Sequence, residues 1–266
     1  APQRYEYYLL LNSDVRVTAD WLRPLHTYME QHPEVAAAQP KLRAEWAHDT
    51  LEYAGAAGGY IDRYGYPFCR GRLLSVGEKD GGQYDDNASI FWATGAALLI
   101  RQSDWWGVGG LDGRFFAHNE EIDLCWRLRA RGRGIVCVPQ SVVYHVGGGT
   151  LPQEHPRKTY LNFRNNLTML FKNLPDAELK HVMRVRRFLD FVAFVQFLVK
   201  GDWANAKAVR KARRDFHQWQ SDFVKDRQEN LSRMVLNPIP ERVNRSLIVG
   251  FFLKGQKTFS AFMQRS

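Results

Sequence analysis

Within the first 150 residues, short apolar runs end abruptly on polar residues, and this pattern restricts the fold more than any other feature. Tyr5–Leu11, within RYEYYLLLNSD, has the pattern of a buried strand and stops at Asn12-Ser13-Asp14. IFWATGAALLIRQ, residues 90–102, is an apolar strand interrupted by Gly95. GIVCVP is another strand, and SVVYHVGGGT is a strand-like end that reaches His145 before a glycine triplet. Helical patterns lie between these runs. TADWLRPLHTYMEQHP reads as a helix with Thr18 or Asp20 as its N-cap and Pro33 beyond its end. SDWWGVGGLDGRF gives a short helix capped by Ser103. HNEEIDLCWRLRARGRG gives a helix with Ile122, Cys125, Trp126 and Leu128 near one face, closed by Gly132 and Gly134. Interleaved strands and helices predict the α/β class. EVAAAQPKLR reads as a short strand, and residues 44–88, rich in Gly, Asp and Tyr, as long loops with little regular structure.

Apolar residues make up 45% of the 266, which excludes a globally disordered chain. No uninterrupted apolar run approaches the ~20 residues that span a bilayer. The nearest, FLDFVAFVQFLV, is short and carries Asp190 and Gln196. The start, APQRYEYYLL, shows no basic segment followed by an apolar one, so no leader peptide is expected. Cys69, Cys125 and Cys137 are odd in number and form no CxxC pair, which argues for a reducing compartment over a disulfide framework. The net charge of +9 is unevenly spread. Residues 1–150 hold 15 Lys and Arg against 18 Asp and Glu, whereas residues 151–266 hold 22 against 10. Two domains are therefore expected, 1–150 and 151–266, with the boundary at the Gly147–Gly149 run.

Three places could carry chemistry. Asp14 stands where an apolar strand ends, the ligand-side edge of an open α/β sheet, although an Asp there also caps turns well. His145 ends another apolar strand and is followed by glycines that permit close approach, yet a lone histidine there is also compatible with a structural role. Glu120, Glu121 and Asp123 stand at a helix N-terminus, where acidic residues complement the dipole. Three carboxylates within four residues exceed that need, and their repulsion raises at least one pKa toward that of a general base.

In this order, LLLNSDVRVTADWLRPL, then ATGAALLIRQSDWWGVGGLDGRFFAHNEEIDLCWRLRARGRGIVCVPQSVVYHVGGGT, the chain resembles the second half of an inverting glycosyltransferase of family 2 with the GT-A fold. The rhamnosyltransferase-like members are the most similar. The resemblance covers roughly residues 5–150. Asn12-Ser13-Asp14 matches the DxD motif with Asn in first place, and NEEIDLCWR matches the acidic base motif. The resemblance implies a C-terminal portion of a GT-A (Rossmann-like, mixed-sheet) domain, followed by a mostly α-helical basic subdomain. Glu121 falls on the catalytic-base position, with Glu120 as the alternate. Asp14 and His145 fall on the positions that bind a divalent metal, Mg²⁺ or Mn²⁺. Asn12, Thr94, Gly95, Ala96, Asp112 and Asp123 are implied around donor and acceptor. The nucleotide-binding half typical of the family is expected to lie outside this chain.

The implied partners are a nucleotide-sugar donor and a saccharide or lipid-linked acceptor of cell-surface polysaccharide synthesis. Residues 157–214 combine the basic clusters RVRR and RKARR with apolar residues at helical spacing, as an in-plane anchor on an anionic membrane surface would. The expected place is the cytoplasm, peripheral at the inner face of the plasma membrane. A homo-oligomer is a further candidate partner, because an exposed half-sheet favours pairing. A non-catalytic carbohydrate-binding or scaffold protein is the alternative. Nucleic acid is not expected, since the basic segment has no recognisable nucleic-acid motif and the acidic half would repel phosphates.

Overall fold

The computed structural model describes residues 5–52, 55–146 and 155–264. It divides into two compact units. The first comprises Ala1–Gly110, Leu124–Gly147 and Leu236–Ser266; the second comprises Leu111–Asp123 and Gly148–Val235.

The first unit is built on a mixed sheet in the order β1-β10-β3-β11-β2. Its strands are β1 (Tyr7–Leu11), β2 (Val15–Val17), β3 (Val35–Ala44), β10 (Ala97–Arg101) and β11 (Gly134–His145), with β4 (Ala47–Leu51) paired to β3 and β9 (Ala88–Ser89) paired to β11. Only β3 and β11 run parallel; the other pairings are antiparallel. Both strands of the parallel pair are largely buried, as an apolar run without alternation requires. Helix α1 (Leu22–Gln31) packs Leu25 and Met29 against Val35, Ala38, Leu99, Val136 and Val138. Helix α2 spans Gln102–Gly107.

A second, small sheet runs β12-β5-β6-β7-β8, formed by β5 (Gly59–Asp62), β6 (Pro67–Cys69), β7 (Arg72–Leu73), β8 (Val76–Gly77) and β12 (Arg242–Val243). Phe68, Leu73, Leu247, Phe251 and Phe262 form its core. Asp62 fastens the C-terminal segment by accepting from the Leu247 backbone N–H at 2.8 Å.

The second unit is helical: α4 (Pro156–Asn173), α5 (Asp176–Val199), α6 (Trp203–Trp219) and α7 (Val224–Ser232). Leu167, Phe171, Phe216 and Phe223 form its core. Helix α3 (Glu120–Ala130) gives its first turn to this unit and the remainder to the sheet unit.

Several expectations need correction. The strand expected to be short, β3, is ten residues long. GIVCVP and SVVYH are one strand, β11, with a register shift between Val138 and Val142, beside Pro139. Residues 44–88 contain short strands rather than unstructured loops. Neither Thr18 nor Asp20 caps α1, because the Thr18 hydroxyl donates instead to the Val142 carbonyl of β11 at 2.8 Å. Ser103 lies inside α2 instead of capping it. The units also differ from a division at residue 150. Residues 111–123 are hydrogen-bonded to α4, and β12 pairs with β5. The expected boundary at Gly147–Gly149 lies outside the described residues.

Candidate active site

Strand pairing brings Asp14 to His145. Strands β2 and β11 pair in the register Val15 to His145, and the Val146 N–H donates to the Asp14 carbonyl at 3.1 Å. The side chains then meet, His145 Nε2 standing 3.2 Å from Asp14 Oδ1. On the other side β11 pairs with β3, His145 opposite Ala44, and β4 pairs with β3. This places Glu52, the residue after β4, with Oε2 at 3.0 Å from His145 Nδ1. Burial opposes the imidazolium, but Glu52 and Asp14 outweigh it and raise the His145 pKa above its ordinary value. Neither ring nitrogen makes a well-aligned hydrogen bond, although both are enclosed. Among the described residues no group of three His, Cys, Asp or Glu is arranged to hold a metal ion. The pair Asp14 and His145 nevertheless fits a site completed by diphosphate oxygens, with an enclosed imidazole nitrogen facing a carboxylate.

The Thr94-Gly95-Ala96 segment lies at the end of β1, where the Asn12 N–H donates to the Ala96 carbonyl at 3.0 Å. Buried Thr94 donates its N–H to Gln39 Oε1 at 3.0 Å. Gly55 lies so close that a Cβ there would meet the Thr94 side chain at 2.8 Å. Asn12 is exposed and Asp14 half-buried.

Glu120 and Glu121 open α3 in the helical unit. Each side chain is half-buried, and Oε2 of each is enclosed without a hydrogen-bond partner among the described residues. Burial disfavours their charge and raises both pKa values. Glu121 is pushed up to about 8, first by burial and then by the neighbouring Glu120 charge. A carboxylate in this state accepts a proton readily near neutral pH, as a general base must.

Strained backbone precedes the pair. Phe116, His118 and Asn119 have φ of 67°, 69° and 69°. At Phe116 the Ala117 N–H closes back on the Phe115 carbonyl at 2.9 Å, the strained form of the γ-turn. Such residues cost ~1–3 kcal/mol each, and persist where their surroundings compensate. Asp112 and Asp123 have partners within the protein. Lys172 Nζ lies 2.8 Å from Asp112 Oδ2 and 2.8 Å from Asp123 Oδ2, and Asn173 Nδ2 donates to Asp123 Oδ1 at 2.8 Å.

No protein-family model matches the chain. The O-antigen biosynthesis protein RfbC of Myxococcus xanthus is 31% identical over 143 residues, which is 53% of this chain and 11% of that protein. The rhamnosyltransferase WbbL of Escherichia coli K12 is 26% identical over 175 residues, 65% of this chain and 63% of that protein. The N-acetylglucosaminyl-diphospho-decaprenol L-rhamnosyltransferase of Mycobacterium tuberculosis is 43% identical over 56 residues, 21% of this chain and 18% of that protein. Over the matched stretches this chain is similar to rhamnosyltransferases. It spans less than two thirds of the length of each of these relatives. A solved structure of GalNAc-T7 with UDP, GalNAc and Mn²⁺ is 14% identical, covering 88% of this chain and 42% of that one, at a TM-score of 0.45.

Beside the candidate site stand residues that the sequence does not advertise. Glu52 and Gln39 are brought to His145 and Thr94 by strand pairing, and no local pattern marks them. Arg164, Asn165, Lys172 and Asn173 carry a weak signal: they are polar residues of α4 that are nonetheless buried. A buried Arg or Lys needs a partner, and each of these has one in the 111–123 segment or beside it.

Proposed function

We propose that this chain is the catalytic portion of a metal-dependent inverting glycosyltransferase. It moves a sugar from a nucleotide-diphosphate donor to a saccharide or lipid-linked acceptor in cell-surface polysaccharide synthesis. The observation that carries the reading is the enclosed Glu120–Glu121 pair, whose free oxygens and raised pKa suit a base.

Glu121 takes the proton from the acceptor hydroxyl, and Glu120 is the alternate. The acceptor oxygen attacks the anomeric carbon in line, the bond to the diphosphate breaks with its electron pair, and the configuration inverts. Asp14 and His145 would hold Mg²⁺ or Mn²⁺, which when bound neutralises charge developing on the leaving diphosphate. Asn12 and the Thr94–Ala96 segment line the donor and acceptor side. The test is release of nucleoside diphosphate by the full-length protein with Mn²⁺, a panel of nucleotide sugars and extracted lipid-linked saccharides. Inertness toward all donors overturns the reading.

Glu52 has a separate expected effect. A carboxylate behind a ligating histidine typically changes metal affinity by roughly 10–100-fold. Glu52→Gln is expected to weaken Mn²⁺ binding by that factor, and His145→Ala by at least as much. Electron paramagnetic resonance of free Mn²⁺, titrated with a nucleoside diphosphate present, reads this directly. Superimposable titrations would remove both residues from the metal site.

The helical unit is proposed to rest on the inner face of the plasma membrane. Among the described residues no helix is long and apolar enough to cross a membrane. Helix α5 exposes Phe188, Phe191, Val192, Val195 and Val199, with Arg184 and Arg187 exposed on its preceding turns. Apolar insertion together with ~1 kcal/mol per basic residue near an anionic leaflet supports in-plane binding. The chain is expected to co-sediment with phosphatidylglycerol-containing vesicles, to detach as salt rises, and to bind less after Phe191→Ser. Salt-insensitive binding, or none, ends the proposal.

A further inference from the structure

The loop before the carboxylate pair is held by two residues of α4 that neither belong to the base motif nor pack in the apolar core. The two N–H groups of Asn165 Nδ2 are shared among three loop carbonyls, Phe115 at 2.9 Å, Ala117 at 2.8 Å and His118 at 2.8 Å. Arg164 Nη2 donates to the Phe115 carbonyl at 2.9 Å and to the Arg114 carbonyl at 3.3 Å. Arg164 also orients its neighbour, Nε and Nη2 donating to Asn165 Oδ1 at 2.8 and 2.6 Å. The Asn165 amide is thereby fixed with its nitrogen toward the loop. Both side chains are buried, Arg164 at 5% and Asn165 at 1% exposure. The next residue continues the row, Asn166 Nδ2 lying 3.5 Å from Asn119 Oδ1.

These donors converge on the backbone that is strained. Phe116, His118 and Asn119 all have positive φ, without being glycine. A loop of this kind relaxes unless its carbonyls are held. Asn119 is also the residue whose carbonyl receives the Asp123 N–H, the first turn of the helix that carries Glu120 and Glu121. The conformation of the loop therefore sets where the helix that carries the two enclosed carboxyl groups begins.

We propose that Arg164 and Asn165 are positioning residues: they clamp the 114–118 backbone in its strained form and so keep the Glu120 and Glu121 carboxyl groups enclosed at the start of α3. This rests on the reading of Glu121 as the base, and extends it to a pair of buried residues on α4. With the clamp removed, the loop relaxes and water reaches the carboxylates. Their burial is the first cause of the raised Glu121 pKa, so that shift is lost with it.

The test is a carbon-13 titration of the glutamate carboxyl groups in the full chain, with Glu121 assigned by its Gln substitution. Wild type is expected to titrate near 8 at Glu121. Asn165→Ala should lower that midpoint by more than one pH unit, toward the ordinary glutamate value of ~4.3. Leu167→Ala, a cavity on the same helix in the apolar core, should leave it in place. An unmoved midpoint in Asn165→Ala overturns the clamp, and so does an equal shift in Leu167→Ala. If Asn165→Ala does not fold, Arg164→Lys is measured against the same two outcomes, since it removes the fork that orients Asn165. The titration needs no turnover. Failure of the glycosyltransferase reading, seen as full activity in Glu121→Gln, is thus distinguishable from failure of the clamp.

Discussion

Glu121→Gln is expected to lower transfer by the full-length enzyme by ~10²–10⁴-fold, the usual contribution of a positioned general base. The amide keeps the shape of the side chain and removes only its capacity to accept a proton. Donor binding, followed by calorimetry with a non-transferable nucleotide sugar, should change little. In wild type the rate should fall about tenfold per pH unit below about 8, because there the Glu121 carboxylate is protonated. Glu120 and Glu121 interact, so the profile reports the pair. The same shift has a cost in stability. The folded pKa of Glu121 lies above the unfolded value, so its favourable contribution is complete below ~4.3 and is lost as pH rises through about 8. Glu121→Gln should therefore be more stable than wild type at pH 9 and similar to it at pH 4. Near-normal turnover in Glu121→Gln would remove Glu121 from the reaction.

The parts of the candidate site that were legible in the sequence are those where an apolar strand ends on a polar residue. Asp14 and His145 follow β1 and terminate β11, so chain order alone sets each at a sheet edge. Their meeting is also a consequence of strand pairing, through Val15 opposite His145. The acidic cluster was legible because three carboxylates within one turn are over-supplied for a helix start. Glu52 was not legible. The strand before it, AHDTL, has no alternation, and its place beside His145 depends on a ladder from β4 through β3 to β11. The small sheet was hidden for a related reason. Strands of two to four residues show no period, and β12 closes on β5 from far along the chain. Helix α1 shows local preference overridden by tertiary contact, since Thr18 is drawn to β11 and leaves the helix without a side-chain cap. The division at residue 150 followed composition, which does not report that residues 111–123 are bound by α4.

Lys172→Met tests that binding at its most buried point. Lys172 is 2% exposed and Asp123 is fully buried, and the ammonium bridges Asp112 and Asp123 at 2.8 Å each. Methionine fills similar space but leaves two carboxylates without their shared cation. Removing one partner of a buried pair costs ~3–5 kcal/mol, more than the pair contributes over an apolar replacement. At ~2–4 °C per kcal/mol the melting temperature should fall by about 10 °C. Adding Asp123→Asn should recover part of the loss, because the remaining carboxylate keeps Arg114. The pH dependence should change as well. Burial alone would raise the Asp112 pKa, but Arg114 and Lys172 outweigh it and hold the carboxyl below its ordinary value. Its contribution is therefore present above ~3.9 and is lost as pH falls through the lower folded value. With Lys172 replaced, that acid loss should shrink, and the gap between variant and wild type should narrow as pH falls below 4. Denaturant unfolding at pH 7 and pH 3.5 measures both. A change below 1 kcal/mol at pH 7 would mean that the cation does not hold the 111–123 segment.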